Sequence, residues 1–507
     1  ALNIDTVVIS DGSNSICNSS FWECSKIKYI SIPSSVTSIG ERAFYRCNGL
    51  TSINISSGVM SIGKEAFYEC SKLTSVTIPS SVTSIGERAF YRCSGLTSIN
   101  ISIGVTSIGI RAFAGCTGLT SITIPSSVTK IENGTFYKCT SLTSVNLPSV
   151  LDSIGSNNSY YDDKGVFEDC TSLTSINIPN RVKFIGGKTF SGCSGLTSIT
   201  IPSSVTSIGY MAFYECSGLS SINISNGVMS IGNSAFSGCS GLTSITIPSS
   251  VTSIGESAFS GCSGLTSINI SNGVMSIENS TFSGCSGLTS ISIPSSVTSI
   301  GKDAFSYCSR LTSINIPSSV TKIGNGTFYR CTSLASVSLS HGLDSIGSNN
   351  FYSDDKGVFE DCTSLTSISI PSSVTSIETR AFYGCSGLTS INIPNSVTSI
   401  GGGAFSGCSG LTSIAIPGSV TSIGERAFSY CSGLTSINIP NSVTSIGWGA
   451  FYGCSGLTSI NIPNSVTSIG GSAFSDCSRL RYVTIPGHIS FRSSFGTTSD
   501  IDTVIIS

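Results

Sequence analysis

The chain has 507 residues, of which only 10% are charged, and its formal net charge is −2. It contains no run of basic residues, so nucleic acid is excluded as an expected partner. It also contains no apolar run near the ~18 residues that a membrane-spanning helix needs, so no membrane span is predicted. The chain begins at Ala1 without a charged-then-apolar leader, as expected if a signal peptide has been removed or if more chain precedes it.

Residues 1–23 are predicted to form a degenerate N-terminal capping coil. Residues 4–10 take a strand position, and Trp22 follows Phe21. An atypical first repeat of this kind is expected to cover the apolar residues of the repeat that follows.

Residues 24–486 repeat one apolar pattern with a period of 23 residues. In the copy that begins at Cys239, the apolar or small positions are Cys239, Leu242, Ile245, Ile247, Val251, Ile254, Ala258 and Phe259. The pattern predicts a strand over 242–247, a second short extended segment over 251–254, and a helical or 3-10 turn at 258–259. One such coil cannot bury its own apolar edge, so the copies must stack on one another.

This pattern resembles the BspA-like leucine-rich repeats, written L-x-x-I-x-I-P-x-x-V-x-x-I-G-x-x-A-F-x-x-C, and residues 4–486 carry it. The resemblance implies a mainly β fold: a single right-handed leucine-rich-repeat solenoid of about 20 coils. It implies a parallel sheet on one face, with short strands and helical or 3-10 turns on the other. It also implies a secreted or surface-attached protein that adheres to host or neighbouring cells.

Twenty of the 21 cysteines occupy one repeat position, and only Cys17 stands outside it. Stacking would place neighbouring Cα atoms ~4.8 Å apart, but their parallel Cβ vectors disfavour a disulfide. We therefore expect a row of buried free thiols, with scattered disulfides and metal binding as alternatives. No metal site and no cofactor are predicted.

Two repeats carry insertion loops, at residues 156–165 and 348–357. Candidate binding residues in these loops are Tyr160, Tyr161, Asp162, Asp163, Phe351, Tyr352, Asp354 and Asp355. The alternatives are a decorated loop that was duplicated with its block of repeats, a binding loop, and a calcium site.

The strand face is the second candidate binding surface. Thr243, Ser244 and Thr246 are expected to point outward, and their equivalents in other repeats would form rows. Thr243 and Thr246 are therefore candidate binding residues for an extended protein or glycan. Simple solvation of the face and ice binding are the alternatives.

The predicted turn edge carries most of the charge and the tyrosines, as in Glu41, Arg42, Tyr45 and Arg46. We interpret it as a solvated edge, with protein contact as the alternative.

Nine possible N-glycosylation sites occur, at Asn18, Asn54, Asn100, Asn133, Asn157, Asn223, Asn269, Asn279 and Asn325. Glycans on the strand asparagines would block the strand face in a secreted eukaryotic protein.

Residues 487–507 are predicted to form a C-terminal cap or the start of a further coil. Residues 501–507 repeat residues 4–10 almost letter for letter. This repetition also permits copies to stack end to end.

No constellation of residues predicts catalysis, since His341 and His488 stand at turn positions and no serine is singled out. We expect a non-enzymatic extracellular or cell-surface binding protein with a long repetitive face. Multivalent contacts to proteins or glycans of host or neighbouring cells are the expected mechanism. The alternative is a structural subunit of an extracellular filament or coat, assembled end to end.

Overall fold

The computed structural model describes residues 5–156, 163–347, 356–489, 491–495 and 501–506. The chain divides into two compact units, an N-terminal unit (residues 1–262) and a C-terminal unit (residues 263–507). Both consist of short parallel strands joined by turns, and the one helix in the described ranges is α1 (Phe491–Phe495). Within those ranges no helix has the length and apolar character needed to cross a bilayer.

The strands of the N-terminal unit follow in chain order. They are β1 (Thr6–Val8), β2 (Ser15–Ile16), β3 (Tyr29–Ser31), β4 (Ser38–Ile39), β5 (Ser52–Asn54), β6 (Ser61–Ile62), β7 (Ser75–Ile78), β8 (Ser84–Ile85), β9 (Ser98–Ile101), β10 (Ser107–Ile108), β11 (Ser121–Thr123), β12 (Lys130–Ile131), β13 (Ser144–Asn146), β14 (Ser153–Ile154), β15 (Phe184–Ile185), β16 (Ser198–Ile201), β17 (Ser207–Ile208), β18 (Ser221–Ile224), β19 (Ser230–Ile231), β20 (Ser244–Ile247) and β21 (Ser253–Ile254).

The strands of the C-terminal unit continue the numbering. They are β22 (Ser267–Ile270), β23 (Ser276–Ile277), β24 (Ser299–Ile300), β25 (Ser313–Asn315), β26 (Lys322–Ile323), β27 (Ser336–Ser338), β28 (Ser345–Ile346), β29 (Ser367–Ser369), β30 (Ser376–Ile377), β31 (Ser390–Asn392), β32 (Ser399–Ile400), β33 (Ser413–Ala415), β34 (Ser422–Ile423), β35 (Ser436–Asn438), β36 (Ser445–Ile446), β37 (Ser459–Asn461), β38 (Ser468–Ile469), β39 (Tyr482–Ile485) and β40 (Thr503–Ile506).

Longer strands and two-residue strands form separate parallel sheets. In the N-terminal unit the longer strands β1, β3, β5, β7 and β9 form one sheet, and β2, β4, β6, β8 and β10 form another. In the C-terminal unit β33, β35, β37, β39 and β40 form one sheet, and β28, β30, β32, β34, β36 and β38 another. The predicted leucine-rich-repeat β-solenoid is thus confirmed, and each unit has this architecture.

The register between neighbouring strands equals the sequence period. Thr77 is the Cα partner of Asn100, and Ile78 is the Cα partner of Ile101. Equivalent side chains therefore lie next to each other from one coil to the next. Alternation along the strand sends the isoleucines into the core and the polar residues to the surface.

The segment around the Ala-Phe pair is not helical, in contrast to the expected helical or 3-10 turn. It is a series of turns in which Arg42 and Arg46 adopt left-handed conformations, with φ of 55° and 57°. The N–H of Arg42 donates to the carbonyl of Lys64 at 2.9 Å, and the N–H of Phe44 donates to Ala66 at 2.8 Å. A helix would direct these N–H groups within its own coil, whereas the turns direct them to the next coil.

The core of each unit is a stack of phenylalanine rings. Phe213 and Phe236 have ring centroids 5.2 Å apart with planes at 5°, and both side chains are fully buried. Beside them the Cys239 thiol donates to the carbonyl of Phe213 at 3.1 Å. The predicted buried free thiols are confirmed in each unit, from Cys47 to Cys262 in the first and from Cys285 to Cys477 in the second.

Residues after 486 continue the stack of the C-terminal unit. Phe495, in α1, stacks on Phe474 with centroids 4.8 Å apart. Strand β40 then pairs in parallel with β39, with Val504 opposite Val483. Phe495 and β40 thus add one ring to the phenylalanine stack and one strand to the sheet, although the sequence around them departs from the repeat pattern.

Candidate binding faces

The outer face of the longer strands carries rows of exposed polar side chains. In β16 and β18 the Cα partners are Ser198 with Ser221 and Thr200 with Asn223, and all four residues are exposed. The sequence places serine, threonine or asparagine at nearly every equivalent position. Each unit thus presents a repeated, almost uncharged hydrogen-bonding surface, which we call the strand face.

The threonines equivalent to Thr243 on the strand face donate hydrogen bonds to the backbone of the preceding coil. The Thr97 hydroxyl donates to the carbonyl of Thr74 at 3.1 Å, and the Thr243 hydroxyl donates to the carbonyl of Ser220 at 3.5 Å. Thr243 is exposed as predicted, but its proton is used within the protein, so its oxygen is left mainly as an acceptor. Thr246 is also exposed, and the threonine, asparagine and serine side chains of its row can both donate and accept hydrogen bonds.

A shallow groove of about 410 Å³ lies on the strand face of the N-terminal unit, spanning Ser175–Asn177, Ser198–Thr200 and Ser221–Asn223. Residues 175–177 form no strand, so within the described part of the chain their backbone belongs to neither neighbouring sheet.

Tyr29 and Tyr482 are two exposed aromatic residues on the strand face that sequence reasoning does not single out. Their Cα partners in adjacent strands are Ser52 and Ser459, respectively. Both tyrosines stand where most repeats have serine. That departure from the repeat is the sequence signal that could have identified them.

The turn edge of the N-terminal unit carries a stack of aromatic rings. The centroids of Trp22 and Tyr45 are 4.2 Å apart, those of Tyr45 and Tyr68 are 4.6 Å apart, and those of Tyr68 and Tyr91 are 4.8 Å apart. Stacking covers the inner ring faces, while the Trp22 side chain remains 41% exposed. This edge presents ring edges and one indole to solvent, which suits protein contact.

Charges on the same edge alternate from coil to coil. Glu69 lies between Arg46, at 2.9 Å, and Arg92, at 3.1 Å, and Arg46 also contacts Glu23 at 3.3 Å. The hydrogen bond to Glu69 is the main cause of the raised pKa of Arg46. Because neighbouring charges compensate one another, this edge offers little field for steering a charged partner.

A second charged row on this edge contains a buried carboxylate, in contrast to the solvated edge that the sequence predicts. Glu65 is 5% exposed and accepts from Arg42 at 2.6 Å, with Arg88 at 3.4 Å on its other side. The hydrogen bond to Glu65 is the largest cause of the raised pKa of Arg42. The alternation of Arg and Glu at this position was its only sequence signal.

The turn edge of the C-terminal unit is less regular and exposes single large rings. Trp448 lies under the guanidinium of Arg426, 4.5 Å from the ring centroid. Tyr430 and Tyr452 meet edge to face at 5.3 Å. Trp448 and Tyr430 are both exposed, so this edge is a further candidate for protein contact.

Most predicted loop residues lie outside the described residues. These are Tyr160, Tyr161, Asp162, Phe351, Tyr352, Asp354 and Asp355. Asp163 is described, and its Oδ2 accepts from the amide of Asn133 at 3.4 Å.

The base of the first insertion is anchored by a buried glutamate. Glu168 accepts from the N–H of Gly165 at 2.8 Å and pairs with Lys164 at 3.3 Å. Lys164 also lies 5.0 Å from the ring centroid of Tyr137. These contacts fix the point at which the insertion rejoins the coil.

The second insertion ends on the same glycine-to-glutamate hydrogen bond, although its ion pairs differ. Glu360 accepts from the N–H of Gly357 at 2.8 Å and from Nε of Arg380 at 3.0 Å. Lys356 lies 4.8 Å from the ring centroid of Tyr329. The shared Lys-Gly-Val-Phe-Glu sequence at 164–168 and 356–360 explains why this hydrogen bond and the lysine–tyrosine contact recur.

The possible N-glycosylation sites fall into different environments. Those exposed on longer strands are Asn54, Asn100, Asn223 and Asn269. Three others use Oδ1 to accept from a backbone N–H of the next coil, at 2.8 to 2.9 Å: Asn18, Asn133 and Asn279. Asn325 is only 8% exposed, which opposes modification in the folded protein, and Asn157 lies outside the described residues.

The histidines do not assemble a reactive site. His488 places Nε2 2.8 Å from the carbonyl of Val466, and His341 is an exposed turn residue. Among the residues that the structure describes, no group of three or more histidine, cysteine or acidic side chains is arranged to hold a metal ion.

The stacked coils and repeated outer faces define a leucine-rich-repeat protein, a class that typically binds proteins and is typically non-catalytic. A family model described as BspA type leucine rich repeat region matches in six copies, at residues 1–118, 84–163, 161–286, 254–356, 353–481 and 404–507. These matches span the chain, which therefore belongs to the BspA-type leucine-rich-repeat family. No curated protein matches this chain.

Several solved structures are similar to this chain. A leucine-rich repeat protein from Bacteroides ovatus is 27% identical, with 94% of this chain and 92% of that chain covered and a TM-score of 0.38. A leucine rich cell surface protein from Faecalibacterium prausnitzii is 38% identical, with 60% and 82% covered and a TM-score of 0.43. A leucine-rich repeat protein from Eubacterium ventriosum is 24% identical, with 75% and 83% covered and a TM-score of 0.39.

Proposed function

We propose that this chain is a non-enzymatic binding protein that acts outside the cell or at its surface. It attaches to proteins or glycans of host or neighbouring cells through many weak contacts along the strand face. The observation that carries this proposal is the register of the longer strands, which repeats exposed hydrogen-bonding groups from coil to coil, as in Thr200 and Asn223.

The composition of the face sets the strength of each contact. A single neutral hydrogen bond contributes ~0.5–1.5 kcal/mol net, so one coil binds weakly. When several coils engage one extended partner, the first contact holds the remaining coils close to that partner. Their effective concentration at the partner is then high, so the later contacts form readily. With only 10% charged residues, affinity must come from the number of contacts and not from electrostatic steering.

The extracellular location is part of the same proposal. It rests on the membership of the BspA-type family and on the adhesive, surface-attached role that the resemblance implies. Surface staining of intact source cells with an antibody against the chain tests it. Staining only after permeabilisation would contradict it.

The binding experiment compares two double variants of the full chain. Thr200→Arg with Asn223→Arg places two long charged side chains on the strand face of the N-terminal unit. The control, Ser257→Arg with Ser280→Arg, alters two half-buried turn positions at which other repeats carry arginine, as at Arg42 and Arg88. Both are measured against immobilised extracellular-matrix proteins and fixed epithelial cells at several surface densities.

We expect apparent affinity to rise with surface density and to fall in the strand-face variant but not in the control. Binding that is independent of density, or equally weakened in both variants, would contradict the proposal. The filament alternative stays a prediction, and electron microscopy of native material tests it by looking for an axial repeat near one chain length.

A further inference from the structure

Four asparagines form a block on the strand side of the C-terminal unit. Asn438 and Asn441 belong to one repeat, and Asn461 and Asn464 are their equivalents in the next. Asparagine occupies both positions in several repeats, but only here do two consecutive repeats have it at both. We call these four residues the asparagine block.

Three of the four asparagines, Asn441, Asn461 and Asn464, line an open groove. Asn438 in β35 is the Cα partner of Asn461 in β37. Asn441 and the segment Asn461–Ser465 line a groove of about 380 Å³. All four asparagines are exposed, so the groove has amides on two adjacent coils.

Small residues flank the block on both sides. The preceding coil has Ala415 and Gly418 at the equivalent positions, and the following coil has Thr484 and Gly487. A Cβ added at Gly418 would have no atom within 4 Å. At the positions equivalent to the asparagines, a chain-like ligand that crosses the block and extends past it therefore meets only small residues.

An aromatic ring lies on the next strand. Tyr482 in β39 is the Cα partner of Ser459 and is 58% exposed. Ser459 precedes Asn461 by two residues on the same strand, so the tyrosine and the block share one face. The ring offers an apolar platform beside the amides.

The chemistry of this site favours one ligand class. Each amide donates and accepts hydrogen bonds, and the block contains no charge. A saccharide has hydroxyls that both donate and accept, and it has an apolar ring face that can lie on tyrosine. An acidic or basic partner would find no opposite charge among the four asparagines and Tyr482.

We propose that the asparagine block and Tyr482 form a binding site for a neutral saccharide chain. This inference rests on the proposed binding function and names the ligand class for one part of the strand face. It differs from the groove at 175–177, 198–200 and 221–223, which lies in the other unit.

The test replaces the block with residues that other repeats use at the same positions. The block variant Asn438→Thr, Asn441→Ser, Asn461→Thr and Asn464→Ser reproduces Thr246 and Ser249, so the fold is retained. The matched control, Asn392→Thr with Asn395→Ser, removes an asparagine pair from an isolated repeat. A third variant, Tyr482→Ser, restores the common residue at that position.

The full chain and the three variants are measured against immobilised mannan, laminarin, galactan and xylan. They are also measured against a mannosylated glycoprotein before and after enzymatic removal of its glycans.

We expect the unaltered chain to bind at least one neutral probe. Loss of the amide contacts should weaken that binding by about tenfold or more in the block variant, and loss of the ring contact should weaken it by about threefold or more in Tyr482→Ser. The control should stay within about twofold of the unaltered chain, since its single asparagine pair is not part of the block.

Absence of binding to every neutral probe would overturn the proposal, as would equal binding by the block variant and the unaltered chain. Glycoprotein binding that survives deglycosylation but depends on the block would also overturn it and would identify a polypeptide ligand. The variant Thr200→Arg with Asn223→Arg distinguishes the general binding function from the saccharide site. If it loses binding to matrix proteins or cells, the general function is supported even if no saccharide binds.

Discussion

Replacing Phe213 with alanine tests how much the stacked phenylalanine rings stabilise the core. Phe213 is fully buried in the N-terminal unit. Its ring centroid lies 5.2 Å from that of Phe190 and 5.2 Å from that of Phe236. The substitution removes two ring contacts and leaves a cavity between coils whose backbones are fixed by hydrogen bonds.

The expected cost follows from burial and from stacking. Truncation of a buried phenylalanine costs ~3–5 kcal/mol, and each ring pair accounts for ~0.5–1.5 kcal/mol of that. Because a coil contacts only its neighbours, the loss should stay local. Phe213→Leu keeps most of the volume and should cost less than ~1.5 kcal/mol.

Native-state hydrogen exchange read by mass spectrometry measures the effect coil by coil. Protection should fall in peptides that contain residues 190, 213 and 236, and it should be unchanged several coils away. A free-energy loss below ~1 kcal/mol for the alanine variant, or a uniform loss along the chain, would refute the stacked-core account.

Other predictions concern contacts between coils. Burial raises the pKa of the Cys47 thiol from 9.0 to about 12, so unfolding releases thiol protons at alkaline pH. The free energy of unfolding should therefore fall as pH rises from 9 towards 12, and a flat profile in denaturant titrations would contradict this. In the native protein a thiol reagent should modify exposed Cys17 far faster than the buried repeat cysteines, and rapid titration of all 21 would contradict the burial. Gly357→Ala should destabilise the protein by ~2 kcal/mol or more, because a Cβ would overlap a carbonyl oxygen of the next coil. Gly418→Ala is its control and should be neutral or slightly stabilising in the same denaturation assay. Glu69→Lys should lower the melting temperature, because it places a cation between two arginines, and 1 M salt should recover part of the loss through screening. No recovery in salt would mean that the loss is not electrostatic.

The period of the sequence was enough to predict the stacking and the core. Residues 23 apart in the sequence, such as Ile78 and Ile101, are neighbours in the sheet. Alternation along each strand likewise predicted that Thr246 would be exposed and Ile247 buried. These features follow from one coil alone, because every coil is packed against a copy of itself.

The turn at the Ala-Phe pair could not be predicted in the same way. Arg42 and Glu65 adopt left-handed conformations with φ of 55° and 52°, which non-glycine residues rarely adopt. The conformation is stabilised by hydrogen bonds to the following coil, as from Phe44 to Ala66. Local propensity favours a helical turn there, and the contacts between coils override it.

Some site features depend on neighbours that the motif does not specify. Glu65 is buried because arginines from the coils on both sides reach it. Phe495 takes a core position although the residues around it depart from the repeat, and its spacing of 21 residues from Phe474 was the available signal. The asparagine block consists of two positions filled in two consecutive coils, which the motif of a single repeat does not specify.

Photo-crosslinking from Ser52 tests the in-register stacking most directly. Ser52 in β5 is the Cα partner of Tyr29 in β3 and of Ser75 in β7. A diazirine-bearing amino acid at position 52 should therefore crosslink to peptides that contain residues 29 and 75, one period before and one period after it. Crosslinks to strand positions out of this register, or to distant coils, would contradict the account.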